Sequence, residues 1–408
     1  MAIADEPANA GDVQQELQTL IDNLNSPAFA TREAASKRLL EIGAPALDTL
    51  RRAKQNPSFE VRERASRICE EIDKSIFENV TKKFILAADG SQSFGLPAWD
   101  VFRSISGDSR TSKLLFITML RNQSELARAV EVAANARGTE NASEAYEQLV
   151  TRATASAERL RVRLARGELP TVGDTVGLLL ACSLFGDTAE IASASNEVNE
   201  MVVASLYRAS LGDYFSKPGY DRCMRAFAGQ WISKTQASLA TDVLQIAHQR
   251  NIPEGAIVAR RHLDGSNDRE TRVRALQCLA RFGNEGDIPA VAKLLNEELI
   301  VYEFNDQSLI GTARDGIREE NLPPPGLKPR LPIRDDRKMI VRLNDVALAV
   351  CMKLGSEDVT TVFPKYDPDD ASGFVLVDFA FPAEGQENHR LAITSWKQEH
   401  PQFAGDNN

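Results

Sequence analysis

The feature of this sequence that most constrains its fold is an internal repeat. Residues 26–43 are SPAFATREAASKRLLEIG, and residues 56–73 are NPSFEVRERASRICEEID. The core positions coincide, the first copy having Thr31, Ala35, Leu39 and Ile42 and the second Val61, Ala65, Cys69 and Ile72. This spacing places the four side chains of a copy on one face of a helix with 3.6 residues per turn. Each copy therefore predicts a helix with one buried face.

Capping residues divide the first repeat into a helical hairpin. Both copies begin with a side-chain hydrogen-bond acceptor followed by proline, which is typical of a helix start. We therefore predict that the helices begin at Ser26-Pro27 and Asn56-Pro57. Gly43 predicts the end of the first helix, and Pro45 predicts the start of a shorter second helix. A preceding helix is predicted from one apolar face, formed by Leu17, Leu20, Ile21 and Leu24.

The reduced pattern of this repeat occurs twice more, far downstream. TRVRALQCLARFG spans residues 271–283 and is followed by the proline-started IPAVAKLL, whereas LNDVALAVCMKLG at 343–355 is a partial copy. One core position is alanine in all four copies, namely Ala35, Ala65, Ala275 and Ala347. A small side chain at this position lets two helices approach closely. We therefore expect these alanines to be buried between packed helices.

The pattern of arginine, alanine, leucine and glycine, followed by a proline-started helix, resembles HEAT repeats. These are antiparallel helix pairs that stack into a curved superhelix. The resemblance covers residues 13–76 and 262–355 directly. PAWDVFRSISGDSRTSKLLFITMLR at 97–121, NDVALAVCMKLG and the ending GQENHRLAITSWKQEH are also similar to segments of a class of bacterial HEAT-repeat proteins. The resemblance implies a fold and no particular activity.

In HEAT repeats, an arginine at one position typically forms a ladder along the superhelix and pairs with acidic groups near the turns. The resemblance assigns this structural role to Arg32, Arg62 and Arg272. A guanidinium has five donors in a fixed plane, which suits it to bridging turn carbonyls and carboxylates. The fourth copy departs from the pattern, because Asn344 stands where the arginine is expected. We expect the ladder to be interrupted there.

The expected fold is all-α, a HEAT-like α-α superhelix with a short extended segment near the C-terminus. We predict a flexible tail at 1–12, repeats at 13–76, a divergent helical region at 77–261, a repeat at 262–320, a proline-rich connection at 321–338, and C-terminal HEAT-like helices with a cap at 339–408. In the divergent region, Trp99 and Phe102 are expected to be core anchors on one side of a helix.

Two segments in the C-terminal third depart from the helical pattern. NLPPPGLKPRLPIRDDRK at 321–338 must leave helical conformation, because proline blocks backbone hydrogen bonding. Its PRLPIR also matches a polyproline ligand motif, which is the alternative to a plain connection. GFVLVDFAFP at 373–382 alternates with a period of two, so it predicts an extended segment or hairpin before a final helix with Ile393 and Trp396.

Charge and hydropathy limit the classes of partner. The chain has 408 residues, of which 58 are acidic and 48 basic, and its net charge is −10. This charge opposes attraction to phosphate backbones and anionic lipid, so no nucleic-acid partner is expected. The most apolar run, VGLLLACSLF at 176–185, is too short to span a membrane and predicts a buried helix. We expect a soluble chain without a membrane span.

Cysteine usage suggests a reducing compartment. The five cysteines are scattered and contain no Cys-x-x-Cys pair: Cys69, Cys182, Cys223, Cys278 and Cys351. This distribution argues against a disulfide framework or a zinc site, and it favours free thiols. Cys69 and Cys351 occupy the leucine position of the repeat, where we expect buried apolar side chains. The first residues lack the features of an export signal. We expect a cytoplasmic protein, with export after removal of a signal peptide as the alternative.

The sequence has no recognisable catalytic motif. It lacks a phosphate-binding loop, a nucleophile elbow, a dinucleotide-binding motif and a zinc-protease motif. HEAT-like hydroxylases bind iron through His-Glu pairs, but none of the four histidines is followed by glutamate: His248, His262, His389 and His400. HEAT-like DNA glycosylases need a basic surface, which the net charge disfavours. We therefore assign no catalytic residue, cofactor or metal ligand.

These observations favour a non-enzymatic scaffold that binds a protein or peptide partner along its concave face. The alternative is an enzyme or small-molecule binder with a site in the divergent region at 77–261. The sequence predicts neither the identity of the partner nor an oligomeric state.

Overall fold

Helices dominate the structure because alanine, leucine, glutamate and arginine, which are strong helix formers, recur along the chain. A computed structural model describes residues 10–185, 189–235, 237–263, 268–305, 338–369, 374–384 and 386–403. Within these residues the fold is all-α, with one small three-stranded sheet. The first of two units comprises Met1–Leu96 and Asp108–Ile117, and the second comprises Pro97–Gly107 and Thr118–Asn408. No helix in the described part of the chain has both the length and the hydropathy needed to cross a membrane.

The first unit contains the two N-terminal repeat copies. Its helices are α1 (Ala10–Asn23), α2 (Phe29–Ile42), α3 (Leu47–Ala53) and α4 (Phe59–Leu86). Their apolar faces form one core that includes Leu17, Ile21, Leu24, Ala35, Leu39, Leu50, Val61, Ala65, Cys69 and Ile72. Residues 10–12, assigned to the predicted tail, belong to α1, and residues 1–9 lie outside the described residues. The predicted helical faces are therefore the ones that pack together.

The helices α2 and α4 begin at Phe29 and Phe59, so the predicted starts at the two prolines are wrong. Ser26 Oγ accepts a hydrogen bond from the backbone N–H two residues later at 3.3 Å, and Asn56 Oδ1 accepts the equivalent bond at 2.9 Å. Such bonds close a turn instead of capping a helix. Each helix consequently begins after the turn.

Gly43 ends α2, as predicted. Its φ of 70° lies in the left-handed region, which glycine adopts without the steric cost of a Cβ atom. Pro45 lies in the 3-10 turn Ala44–Ala46, which leads directly into α3. The helix ends of this hairpin therefore follow from residues visible in the sequence.

Helix α5 (Trp99–Ser106) belongs to the second unit and is followed by α6 (Arg110–Ala136), whose first residues belong to the first unit. In the first unit, Phe116 of α6 packs against Phe84 with ring centroids 5.6 Å apart. In the second unit, Trp99 and Phe102 are buried and stacked on each other with centroids 6.0 Å apart. The prediction that these two aromatic residues are core anchors is confirmed.

The second unit contains most of the helices and also includes the third and fourth repeat copies. Its further helices are α7 (Ala142–Ala165), α8 (Val172–Cys182), α9 (Ala189–Leu206), α10 (Ala209–Ser216), α11 (Tyr220–Lys234), α12 (Ala240–Arg250), α13 (Gly255–Arg261), α14 (Arg269–Phe282), α15 (Ile288–Ala292), α16 (Leu343–Leu354) and α17 (Gln386–Glu399). Every residue of α8 is buried, as its apolar run predicted. Helix α14 packs against α12, α13 and α16.

The four repeated alanines are all buried. Ala35 is 3% exposed, and Ala65, Ala275 and Ala347 are each 0% exposed. The prediction that this position lies between packed helices is therefore confirmed. The burial of these alanines describes the packing within each copy and does not by itself define a superhelix.

The sheet lies beside α16 in the second unit. Its antiparallel strands are β1 (Ile300–Asn305), β2 (Lys338–Arg342) and β3 (Phe381–Pro382), with β2 in the centre. Strand β2 leads directly into α16, so Arg342 stands at the junction between strand and helix. The predicted proline-rich connection lies outside the described residues, except for Lys338.

The alternating segment before α17 is extended over only part of its length. Leu376–Phe379 forms a 3-10 helix, and only Phe381–Pro382 pairs as a strand. Phe374 and Phe379 pack with ring centroids 4.2 Å apart. A regular strand would place these two side chains on opposite faces, because their positions differ by an odd number. A tight helical turn brings both rings into one aromatic cluster.

Candidate functional site

Arg32 and Arg62 bind the turn that precedes their own helix. Arg32 Nη1 donates to the carbonyl oxygens of Ser26 at 2.7 Å and Pro27 at 3.0 Å. Arg62 Nη1 donates to the carbonyl oxygens of Asn56 and Pro57, both at 2.8 Å. Both repeats thus use one guanidinium to satisfy the same pair of turn carbonyls.

A different arginine links the two repeats. Arg64 donates from Nη1 to Glu33 of the preceding repeat at 2.7 Å and from Nε to Glu60 at 2.5 Å. Arg32 Nε also lies 3.4 Å from Glu60 Oε1. Sequence reasoning missed Arg64 because Ala34 occupies the equivalent position in the first copy, so the repeat gives no signal there.

Arg272, the third predicted ladder residue, has a carboxylate partner. Its Nη2 donates to Glu297 Oε1 at 2.5 Å, and the side chain is buried. Asn344, at the corresponding position of the fourth copy, is also buried. Arg32 and Arg62 therefore bind equivalent turn carbonyls, whereas Arg272 pairs with a carboxylate. A continuous ladder along a superhelix stays a prediction.

Two exposed phenylalanines occupy equivalent positions in the N-terminal repeats. Phe29 is 65% exposed and Phe59 is 69% exposed, and each is the first residue of its helix. The guanidinium carbon of Arg32 lies 5.7 Å from the Phe29 ring centroid, and that of Arg62 lies 5.7 Å from the Phe59 centroid. We call these two rings the Phe29–Phe59 surface. Phe29 and Phe59 occupy equivalent positions in the two aligned copies of the repeat, but the sequence does not indicate that their side chains are exposed.

A pocket of about 630 Å³ lies between α17 and the residues that follow α16. Its apolar lining includes Met352, Leu391 and Trp396, and its carboxylates are Glu357, Asp358 and Glu399. We call this the Trp396 pocket. Trp396 Nε1 donates to Glu357 Oε1 at 3.1 Å. The lining can accommodate an apolar stem that ends in a positive charge, such as that of lysine or arginine.

Four buried polar side chains surround the start of α16, and we call them the Asp345 centre. Arg342, Asn344, Asp345 and His389 are each at most 3% exposed. His389 Nδ1 lies 2.8 Å from Asp345 Oδ1, while Asp345 Oδ2 accepts the Arg342 backbone N–H at 3.1 Å. Arg342 Nη1 is 4.0 Å from Asp345 Oδ2. One carboxylate therefore caps α16, binds α17 through His389 and faces a buried guanidinium.

Several polar atoms of the Asp345 centre have no hydrogen-bond partner in the described residues: Arg342 Nη1, Asn344 Oδ1 and His389 Nε2. Leaving a buried donor or acceptor unsatisfied costs about 1–3 kcal/mol per group. Burial raises the pKa of Asp345, whereas the bonds from His389 and the Arg342 backbone act in the opposite direction. The contacts that cap α16 and join it to α17 use both oxygens of the Asp345 carboxylate. They provide no hydrogen bond for the three other atoms.

The remaining histidines and the cysteines do not form a second centre of this kind. Burial, together with the positive charges of Arg281, Arg274 and Lys353, lowers the pKa of His248 to about 4. All five cysteines are buried and none forms a disulfide, and burial raises the pKa of Cys182 and of Cys278 to about 12. Within the described residues, no group of histidine, cysteine, aspartate or glutamate side chains could hold a metal ion.

The divergent region also has a pocket, of about 580 Å³, at the turn between α6 and α7. Its lining includes the carboxylates of Glu140 and Glu144 and the amides of Asn135 and Asn141. It lies within 77–261, where the sequence places the alternative small-molecule site. The lining offers hydrogen bonds but has no histidine, cysteine or lysine among its residues.

Comparison of the chain with models of known protein families, with curated proteins and with solved structures found no match.

Proposed function

We propose that the chain is a HEAT-like helical-repeat scaffold that binds an extended peptide segment of a protein partner. The observation that supports this proposal most directly is the Phe29–Phe59 surface, where each of the two repeats has an exposed phenylalanine at the equivalent position. Stacked helical repeats use equivalent positions of successive units to form extended binding surfaces. A large apolar side chain that is exposed at the same place in both units fits this use.

The geometry of the repeats suggests the chemistry of the peptide. Helices α2 and α4 pack against each other, and packed helices are about 8–10 Å apart. A peptide in the polyproline II conformation has three residues per turn and rises about 3.1 Å per residue, so apolar side chains three positions apart lie on one side, about 9 Å apart, and would match the two rings. Arg32 and Glu60 already lie close to each other, and Arg64 pairs with Glu33. Because these charges are paired within the scaffold, the contact would be mainly apolar.

The Trp396 pocket supports the same class of partner in the second unit. Three carboxylates surround an apolar lining that includes Leu391, which is 65% exposed. This combination suits a basic side chain of a peptide better than a phosphate or another anion. A small-molecule site in the divergent region is the second candidate, and the pocket between α6 and α7 is the observation that favours it.

The experiment that tests peptide binding selects a random peptide library on the full-length chain. We expect enriched peptides to have apolar residues three positions apart. Burying each ring contributes about 1.5–3 kcal/mol, so the double variant Phe29→Ala, Phe59→Ala should weaken binding by at least about 100-fold. Dissociation constants would be measured by fluorescence anisotropy of labelled peptides.

A matched control is Leu169→Ala, which truncates another exposed apolar side chain, 56% exposed, in the second unit. It should leave the affinity unchanged. Because Phe29 and Phe59 are exposed and each loses one cation–π contact worth about 0.5–1 kcal/mol, their joint replacement should lower the free energy of unfolding by no more than about 2 kcal/mol. Equal affinity of the double variant and the wild type would contradict the proposal, as would a selection that enriches no peptide.

A further inference from the structure

The Trp396 pocket has an excess of negative charge. Glu357 and Asp358 line it from the segment that follows α16, and Glu399 lines it from the last turn of α17. Within the described residues, none of these three carboxylates forms an ion pair with a lysine or an arginine, and His400 Nε2 lies 3.3 Å from Glu357 Oε1. Because three like charges at one pocket repel one another, a cation that enters the pocket would relieve this repulsion.

Each of the three carboxylates uses one oxygen within the protein. Glu357 Oε1 accepts from Trp396 Nε1 at 3.1 Å, and Glu399 Oε1 accepts from a hydroxyl of its own helix at 3.2 Å. Asp358 Oδ1 accepts from the backbone N–H and the hydroxyl of Thr360, at 2.9 Å and 2.6 Å. The second oxygen of each carboxylate has no hydrogen-bond partner in the part of the chain that the structure describes. Three acceptors are therefore left for a ligand.

The rest of the lining is mostly apolar and is large enough for a side chain. It includes Met352, Val362, Leu391, Ala392 and Trp396. The volume of about 630 Å³ falls within the range of roughly 300–1,000 Å³ that is usual for small-ligand pockets. A ligand that matches this lining has an apolar stem and a positive head with several hydrogen-bond donors.

The arrangement of the acceptors favours a guanidinium over an ammonium head. A guanidinium is planar and has five donors, so it can bond carboxylates from two segments of the protein at once. An ammonium has three donors on a single nitrogen and binds its water more strongly. It therefore loses more hydration free energy when it enters an apolar pocket.

We propose that the Trp396 pocket binds an arginine side chain of the protein partner. The alkyl stem packs against Leu391, and the guanidinium donates to the free oxygens of Asp358 and Glu399. Glu357 is a positioning residue, because its bond to Trp396 Nε1 holds that ring in the wall of the pocket. This inference rests on the proposed function, since it takes the arginine from a peptide, and it names the side chain that the second unit recognises.

Single amino acids with both backbone ends blocked test the pocket separately from peptide binding. The probes are the acetylated methylamides of arginine, of lysine and of citrulline, which is a neutral analogue of arginine. Fluorine nuclear magnetic resonance of the full-length chain labelled with fluorotryptophan follows binding, with Trp99 and Trp231 as internal references. We expect the arginine probe to shift the Trp396 resonance saturably. The lysine probe should bind more weakly, and the citrulline probe at least about tenfold more weakly, because it cannot form charge-assisted bonds.

Carboxylate variants show whether the contact lies in the pocket. Glu399→Gln should weaken the affinity for the arginine probe about two- to fivefold, the usual range for an exposed ion pair. Adding Asp358→Asn, which keeps the Oδ1 acceptor, should bring the loss to about tenfold. The matched control is Glu387→Gln, which removes an exposed carboxylate from the same helix but outside the pocket lining. It should leave the affinity unchanged.

Three results would each overturn the arginine site. They are a lysine or citrulline probe that binds as tightly as the arginine probe, an equal loss of affinity in Glu387→Gln and Glu399→Gln, and no saturable shift of Trp396 with any probe. None of them affects the Phe29–Phe59 surface, which belongs to the first unit and has its own test. A peptide selection that fails while the arginine probe binds would instead contradict the proposed peptide contact alone.

Discussion

His248 illustrates how strongly burial changes a single titratable residue. Its Nε2 atom is buried without a hydrogen-bond partner in the described residues, and Arg281 donates to its backbone carbonyl at 2.7 Å. Burial and the nearby positive charges disfavour the imidazolium form, which is why the pKa falls from 6.5 to about 4. The neutral ring is thus the form compatible with the folded chain.

This shift predicts a loss of stability in weak acid. Between about pH 6.5 and pH 4 the unfolded chain binds a proton at His248 that the folded chain does not bind. The free energy of unfolding should therefore fall as the pH drops through this window, by at most about 3 kcal/mol from this residue. Urea denaturation of the wild type and of His248→Gln at pH 7.5, 6.0 and 4.5 measures the difference.

The variant provides its own control, because carboxylates that titrate in the same window are present in both chains. We expect the stability of His248→Gln relative to the wild type to rise as the pH falls. Parallel pH profiles for the two chains would show that His248 is protonated at the same pH in the folded and unfolded states.

At the scale of single residues, the sequence could not predict the Asp345 centre. Asp345 and His389 are separated by 44 positions, and each looks ordinary in its own helix. Their meeting depends on how α16 packs against α17, which no local pattern specifies. The fourth repeat copy did place Asn344 at an arginine position, but that departure indicated a gap in a ladder and not a buried polar centre.

At the scale of helices, the sequence predicted packing well because small and apolar residues repeat with a helical period. The four alanines, the glycine at the end of α2 and the aromatic pair of α5 all lie as predicted. Helix starts were predicted less well. Ser26 and Asn56 can cap a helix or close a turn, and the carbonyl-binding arginines three residues into each helix stabilise the turn.

Helix α2 allows a direct test of the close approach at the repeated alanine. Ala35 is buried, whereas its neighbour Ala34 is exposed on the same helix. Ala35→Leu inserts three heavy atoms between packed helices and should lower the free energy of unfolding by about 1–3 kcal/mol. Ala34→Leu should change it by no more than about 0.5 kcal/mol, since both residues are good helix formers.

Urea denaturation followed by circular dichroism would measure both variants under the same conditions. Because helix propensity is nearly the same for alanine and leucine, the difference between the two variants isolates packing. Equal stability of the Ala35→Leu and Ala34→Leu chains would contradict the close contact between repeat helices.

At the scale of the whole molecule, charge decides which polymers the chain can bind without specific contacts. The excess of 58 acidic over 48 basic side chains repels a polyanion at long range. One local exception is the group of Arg274, Arg281 and Lys353, whose charges all act on His248. Non-specific binding to DNA grows with the number of phosphates that a protein neutralises, so three cations give only weak attraction.

We therefore predict that the chain does not bind double-stranded DNA or heparin at about 0.1 M salt, where the Debye length is about 10 Å. Elution from a heparin column and electrophoretic mobility shifts with a random duplex would measure this. Retention that falls steeply with salt would contradict the prediction. The double variant Arg281→Gln, Lys353→Gln would then locate the contact. If this variant is no longer retained, the contact involves the cations around His248. If its retention equals that of the wild type, the contact lies on another surface.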